Sequence, residues 1–219
     1  MSINIDDMYH YWQVVGDRVM RITETQVRKN REKVVAKASR LFRERGFDGI
    51  SVNDLMKAAG FTHGGFYNHF ESKEALVAEA LHHSFRVMDE VRGGIESLDE
   101  FIAAYLSDEA KDAPGLTCPA AALATEVARQ TPAIKQVFSE GLERLIVSVE
   151  RRMPEDSASR SDAVDLVCRM VGALVLARAV PKSSDLGEEL LVTATERCRE
   201  SAADLKKAKR GRRPAGRKS

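Results

Sequence analysis

Residues 51–76 read SVNDLMKAAGFTHGGFYNHFESKEAL and contain two short helical patterns separated by a glycine turn. Ser51 is followed three residues later by Asp54, which is close to the capping box that begins a helix. Gly60 is placed to end this helix, and Thr62 is placed to cap a second, very short one. Two short helices joined by a glycine-containing turn form a helix-turn-helix, and this stretch therefore predicts that motif.

The second helix of this pair carries side chains suited to contacting nucleic acid. Phe66 and Phe70 are four residues apart, so both are expected to anchor the helix to the interior. Gly64 and Gly65 remove side chains where the free N–H groups of the helix would approach a phosphate. The polar side chains expected to fit phosphate oxygens and base edges are His63, Tyr67, Asn68 and His69. The residues alone leave a second interpretation open, a tight corner whose polar side faces water.

Helical spacing of the apolar residues continues outward from this stretch, and no segment alternates like a half-buried strand. A preceding helix is predicted from about Val27 to Arg45, where Gly46 supplies a left-handed cap. Ser72 is expected to cap a following helix that stops at Gly93. Further helices are predicted near 97–108, 119–130, 132–152, 160–180 and 184–205. The fold class is therefore all-α.

Residues 51–76, together with RKNREKVVAKASRLFRERGFDGIS at 28–51, resemble the DNA-binding signature of the TetR/AcrR family of one-component transcriptional regulators. The shared features are a hydroxyl residue opening the second helix, an Ala-Gly turn, a tyrosine in a short recognition helix, and Ser-Lys-Glu after an aromatic residue. This resemblance implies an N-terminal three-helix helix-turn-helix DNA-binding domain and a C-terminal α-helical ligand-binding and dimerisation domain. His63 and Gly65 depart from the family, which often has Lys and a small hydroxyl or Ala there.

The resemblance also implies which residues contact an operator in double-stranded DNA. Ser51 and Lys73 are expected to touch flanking phosphates from helix N-termini. The groove-facing set is Thr62, His63, Gly64, Gly65, Tyr67, Asn68 and His69. One recognition helix reads only a few base pairs, so a homodimer that reads two half-sites is expected, with its interface on the helices near 160–180 and 184–205.

Charge divides the chain in the same way. Residues 20–75 are assigned to the DNA-binding domain, and 20–74 hold eleven basic and seven acidic residues. Residues 76–205 are assigned to the effector and dimer domain, and 75–205 carry a net charge of −9. Residues 206–219 hold eight basic residues and no acid, and are expected to be a disordered tail. Residues 1–19 are an uncertain N-terminal extension.

An effector pocket is implied among the helices of the second domain, although its apolar residues are equally expected to fill a core. The residues assigned to this pocket are Phe85, Met88, Phe101, Tyr105, Cys118, Phe138, Leu142 and Met170. Cys118 caps a helix whose first residue is Pro119, where the helix dipole favours a thiolate. The favoured interpretation of this cysteine is nevertheless simple packing against an alanine-rich helix, and for Cys168 and Cys198 core or dimer packing is expected.

Other function classes have no support in the sequence. No HExxH, GxSxG, GxGxxG or Walker sequence occurs, and the adjacent His82 and His83 cannot chelate one ion from a helix. We therefore expect no catalytic residues, no metal and no cofactor. No apolar run is long enough to cross a membrane, and the odd number of cysteines matches no disulfide framework, so a cytoplasmic protein is expected.

The sequence predicts a ligand-responsive transcriptional repressor that is released from DNA by an effector. One alternative is a regulator in which Cys118 senses electrophiles or oxidants. Another is a sequence-tolerant architectural DNA-binding protein governed by the basic tail. That tail contains Arg-Gly-Arg-Arg-Pro at 210–214, which is similar to the Arg-Gly-Arg-Pro core of AT-hook peptides but has an extra Arg.

Overall fold

The computed structural model describes the backbone of residues 5–154 and 158–211, and the side chains of 24–154, 158–205 and Lys207. This part of the chain contains no strand, which confirms the all-α prediction. Its α-helices are α1 (Ile5–Arg45), α2 (Val52–Ala59), α3 (Lys73–Gly93), α4 (Leu98–Tyr105), α5 (Asp108–Asp112), α6 (Pro119–Val127), α7 (Pro132–Glu150), α8 (Arg160–Ala179) and α9 (Leu186–Gly211). Two 3-10 helices cover His63–Asn68 and Pro114–Leu116.

The ends of the first helices lie where the sequence predicts them. Gly46 and Gly60 have φ values of 79° and 83°, in the left-handed region that favours glycine. The Ser51 hydroxyl accepts a hydrogen bond from the Asp54 N–H at 3.1 Å and caps α2. Ser72 caps α3 in the same way, through the N–H of Ala75 at 3.1 Å. The Ser51 cap therefore fixes where α2 begins, and the Ser72 cap fixes where α3 begins after the 3-10 helix.

Two hydrophobic cores form, and α6 and α7 contribute to both. The first core contains residues of α1, α2 and the first 3-10 helix, together with Leu76, Leu81 and Phe85 of α3. It also contains Leu123 and Ile134, which come from α6 and α7. The second core is built from α4 to α9. Because α6 has side chains in both cores, it connects the second core to the helix-turn-helix.

Two helices are longer than the sequence pattern predicts. The backbone of α1 begins at Ile5, so most of the predicted extension at 1–19 is helical. No proline interrupts residues 5–45, and a packed helix extends at little cost once nucleated. Likewise, α9 continues to Gly211, where a disordered tail was expected from 206, and Lys207 pairs with Asp204 at 3.1 Å. The rest of the predicted tail, 212–219, lies outside the described residues.

The region between α4 and α6 also differs from the prediction. One helix was expected near 97–108, whereas the structure has α4, the short α5 and the 3-10 helix Pro114–Leu116. The break occurs because Ser107 accepts a hydrogen bond from the Ala110 N–H at 3.1 Å and starts a new helix. Within the described part of the chain, none of the helices combines the length and apolarity needed to cross a membrane.

Candidate nucleic-acid interface and adjoining cavity

The 3-10 helix His63–Asn68, called here the recognition segment, is anchored from one side only. The Phe66 ring is 1% exposed and packs against the buried Phe70 ring, with 5.5 Å between their centroids. Tyr67, by contrast, is 70% exposed. The neighbouring side chains of Thr62, His63 and Asn68 are also exposed. The predicted division into aromatic anchors and outward polar groups therefore holds for these residues.

Arg31 of α1 fixes the position of the recognition segment. Its guanidinium donates to the backbone carbonyl of His69 and pairs with the carboxylate of Glu79 on α3. The same group lies over the Phe70 ring, 4.5 Å from its centroid. One arginine thus joins α1, α3 and the end of the recognition segment.

His69 is placed differently from the expected groove-facing set. Its side chain is half-buried, with its ring edge-on to Phe61 and to Phe70. Its Nδ1 atom is buried and makes no hydrogen bond to any described group. His69 follows the last residue of the recognition segment, and the Arg31 contact holds its backbone inward. The ring therefore packs toward the interior, whereas Asn68 points outward.

Neither glycine of the recognition segment is required by packing. A Cβ on Gly64 would meet no atom within 4 Å, and one on Gly65 would lie 3.8 Å from Met56 and Thr62, an ordinary contact. Neither residue has a positive φ. Because glycine has no side chain, another molecule can approach the backbone closely at these two positions. Of the flanking residues, Ser51 is exposed and Lys73 lies 3.9 Å from Asp48.

Four of the eight residues predicted for an effector pocket surround one cavity of about 160 Å³ between α3, α4, α8 and the start of α6. These four are Met88, Phe101, Tyr105 and Cys118. The other four, Phe85, Phe138, Leu142 and Met170, do not line this cavity and instead fill the cores. Phe85 lies so close to Gly141 that a Cβ there would overlap its ring. The ring also packs edge-on against Phe138, with centroids 5.7 Å apart.

The cavity is also lined by polar residues that the sequence pattern did not reveal. Arg92, which is 6% exposed, and Thr117 line it together with the predicted Tyr105. Burial raises the pKa of the Tyr105 hydroxyl well above its usual value, so this group remains a hydrogen-bond donor. The available signal was a charged residue on an apolar face, because Arg92 follows Phe85 and Met88 at helical spacing.

Thr117 connects the cavity to the helix-turn-helix. Its backbone carbonyl accepts a hydrogen bond from Arg43 of α1 at 2.6 Å, and its hydroxyl accepts one from Arg178 of α8 at 2.5 Å. Burial lowers the pKa of Arg43 to about 10, which leaves the guanidinium charged at neutral pH. A second link runs from the backbone N–H of Phe47 to the carboxylate of Glu126 on α6, at 2.5 Å. These residues escape sequence reasoning because their partners are distant along the chain.

The three cysteines have different surroundings. Cys118 and Cys198 are buried, and Cys168 is exposed on α8. Two roles were predicted for Cys168, packing in the protomer core and packing in a dimer interface. Its exposure argues against the first role and leaves the second. Within the ranges 24–154 and 158–205, no group of three or more His, Cys, Asp or Glu residues is arranged to hold a metal ion.

The N-terminal region matches a family model. Residues 34–80 match the model for bacterial regulatory proteins of the tetR family. The chain is also 46% identical over 55 residues to the HTH-type transcriptional repressor DhaR of Mycobacterium sp. (strain GP1), covering 25% of this chain and 28% of that repressor. The close similarity to DhaR is therefore limited to about a quarter of the chain.

Longer similarities extend into the second domain. An HTH-type transcriptional regulator in the lacX 3'region of Lactococcus lactis subsp. lactis is 28% identical over 139 residues, or 59% of this chain and 69% of that protein. The structure of reduced NemR from E. coli superimposes with a TM-score of 0.63 at 21% identity, covering 78% of this chain and 96% of NemR. The fold thus matches over both domains. The N-terminal region of the chain, residues 34–80, thus belongs to the TetR family of bacterial regulatory proteins.

Proposed function

We propose that this protein is a transcriptional repressor that binds a palindromic operator as a homodimer and releases it when a small molecule binds. The observation that carries the proposal is the recognition segment, in which the exposed Tyr67 and Asn68 stand beside the buried anchor Phe66. A surface that serves only solubility does not require a helix anchored so firmly by Arg31. Contact with DNA explains both the anchoring and the polar tips.

DNA contacts divide into two kinds on this surface. The Tyr67 hydroxyl, Ser51 and Lys73 are proposed to bind phosphates, which positions the protein without selecting a sequence. Thr62, His63 and Asn68 are proposed to lie along base edges in the major groove. Because Gly64 and Gly65 have no side chains, the recognition segment can approach the DNA backbone closely. His69 is left out of base readout because its ring packs inward.

The homodimer is proposed to form through a stripe of α8 residues, called here the α8 stripe. It consists of Val164, Cys168, Gly172 and Leu176, which recur every four residues and therefore share one face. Leu176 is 55% exposed, and a Cβ on Gly172 would meet nothing within 4 Å. An exposed apolar face with a small residue at its centre suits close packing against the same helix of a second copy. The sequence-predicted contribution of α9 remains part of this proposal.

Release of DNA is proposed to follow from the position of Thr117. A ligand in the cavity would press on Thr117, whose carbonyl binds Arg43 of α1. Moving that carbonyl would tilt the end of α1 and change the separation of the two recognition segments in the dimer. The ligand would then favour a conformation that no longer fits two successive half-sites.

A binding-site selection from random double-stranded DNA tests this function. We expect the wild-type chain to enrich one palindromic sequence, because a two-fold dimer reads the same half-site twice. Asn68→Ala is expected to relax the preference at one or two positions in each half-site. The matched control is Asn30→Ala, since Asn30 lies on α1 and accepts a hydrogen bond only from its neighbour Gln26. Binding without enrichment of any fixed sequence would contradict the proposal and favour an architectural DNA-binding protein.

A further inference from the structure

The cavity beside Thr117 contains hydrogen-bond donors but no carboxylate among its lining residues. Apolar side chains from α3, α4, α8 and the turn between α3 and α4 form most of its wall, among them Val91, Ile95, Phe101 and Leu174. The polar side chains among the lining residues are those of Arg92, Tyr105 and Thr117. A mostly apolar cavity with a few polar groups is the usual form of a site for a small molecule.

Arg92 brings a buried positive charge without a hydrogen-bonded acid. Its side chain is 7% exposed, and its Nε atom donates to the Met88 carbonyl at 2.9 Å. Its two terminal nitrogens are buried and have no hydrogen-bond partner in the described part of the chain. The carboxylate of Asp89 lies 3.7 Å from Nη2, beyond hydrogen-bond distance, and receives the Nε–H of Arg144 at 2.7 Å instead. A buried guanidinium in this state is destabilising until an acceptor reaches it.

Tyr105 adds a second unused donor to the same cavity. Its hydroxyl is buried beside the Cys118 thiol and has no oxygen or nitrogen partner among the described residues. Arg92 and Tyr105 both line this cavity. Thr117, in contrast, is already satisfied, because its hydroxyl accepts from Arg178 and donates to the Pro114 carbonyl at 3.3 Å. The unpaired buried polar groups among the residues that line the cavity are therefore donors.

We propose that the cavity binds a small monocarboxylate, with its two oxygens accepting hydrogen bonds from Arg92 and Tyr105 and its apolar body between Phe101 and Leu174. Size sets the class of ligand, because an apolar cavity of about 150 Å³ holds a molecule of the size of benzene and this one measures about 160 Å³. An aromatic or short aliphatic acid fits, and a bulky polycyclic molecule does not. The carboxylate site itself does not depend on the proposed repressor function. Only the identification of this acid as the effector rests on that function.

Calorimetric titration of the full chain with benzoate tests the charge requirement. Benzyl alcohol is the neutral control of nearly the same size. We expect benzoate to bind at least about tenfold more tightly than benzyl alcohol, because charge-assisted hydrogen bonds outweigh neutral ones. Equal binding of the two molecules, or no benzoate binding at millimolar concentration, would overturn the inference.

Two variants locate the carboxylate. Tyr105→Phe is expected to weaken benzoate binding about tenfold and to leave the melting temperature almost unchanged, since the hydroxyl has no oxygen or nitrogen partner to lose. Arg92→Met is expected to abolish the preference for benzoate over benzyl alcohol. Arg86→Met is the matched control, because Arg86 is an exposed residue of α3 that pairs with Glu90. Unchanged benzoate affinity in a folded Tyr105→Phe protein would contradict the assigned geometry.

DNA binding separates failure of this inference from failure of the proposed function. Selected operator DNA is titrated with the wild-type chain, with and without saturating benzoate. Operator binding without any benzoate affinity would overturn the carboxylate site and leave the repressor function standing. Benzoate binding in a protein that selects no DNA sequence would support the site and contradict the repressor function. The expected result is operator binding that weakens when benzoate is added and that Tyr105→Phe makes less sensitive to benzoate.

Discussion

Among single residues, Tyr67 places a large exposed side chain on the recognition segment. Tyr67→Phe should weaken operator binding by about 1 kcal/mol, because the hydroxyl is expected to donate one hydrogen bond to a phosphate. The fold and the dimer should be unaffected, since the side chain is 70% exposed. Fluorescence anisotropy with labelled operator measures the affinity, and a melting curve measures the stability.

Tyr105→Phe provides the matched control, because it makes the same chemical change inside the cavity of the second domain. Without ligand, this control should bind operator like the wild type. A melting temperature that falls with Tyr67→Phe as much as affinity does would show that Tyr67 belongs to the core. That result would contradict the proposed orientation of the recognition segment.

Residue patterns near the recognition segment are informative when the neighbours lie close along the chain. Phe66 and Phe70 are four apart, and both are predicted and observed to be buried. His69 was expected to point toward DNA, but the contact from Arg31 holds its backbone inward. Arg31 lies 38 residues earlier in the chain, so no local pattern reveals that contact.

For the helices, the open question is which face binds a second copy. Leu176→Glu should raise the dimer dissociation constant by about a hundredfold, because each dimer would bury two carboxylates without partners. Leu176 is 55% exposed in the protomer, so the fold of the protomer should tolerate the change. Light scattering coupled to size exclusion over a dilution series measures the dissociation constant.

Val192→Glu is the matched control for the α8 stripe. Val192 is an apolar residue of similar exposure on α9, but it lines a groove toward α4 and α5. The Val192→Glu variant should leave the dimer intact. If Val192→Glu dissociates the dimer and Leu176→Glu does not, the interface lies on the other face of the bundle.

At the scale of the whole molecule, basic residues are in excess in two regions, residues 20–74 and residues 206–219. The basic residues Arg212, Arg213, Arg217 and Lys218 lie outside the described residues, beyond the end of α9. A version ending at Gly211 keeps all of α9 and removes these four charges. If two of them per subunit neutralise phosphates, the slope of log affinity against log salt for a dimer should become less steep by about four.

Operator affinity at several salt concentrations, for the full and shortened chains, measures this slope. The selected DNA sequence should be the same for both chains, because the recognition segment is unchanged. Equal slopes would show that the tail does not contact DNA. A changed sequence preference would instead indicate that the tail reads bases in the minor groove.

Local signals along the chain determined much of this protein by themselves. Helical spacing predicted an all-α fold, and hydroxyl and glycine residues such as Ser51, Gly60 and Ser72 predicted where helices begin and end. These signals work because caps and turns depend on atoms within a few residues of one another. The 51–76 signature also identified the family, since the recognition segment and its anchors are contiguous in sequence.

Only the tertiary structure decided what the second domain places together. Arg92 and Tyr105 are separated along the chain, yet both line one cavity beside Thr117. The division of the eight predicted pocket residues into four at the cavity and four in the cores depends on how helices pack, as with Phe85 against Gly141. Apolar side chains at helical spacing predict burial, but burial alone does not distinguish a filled core from the wall of a cavity.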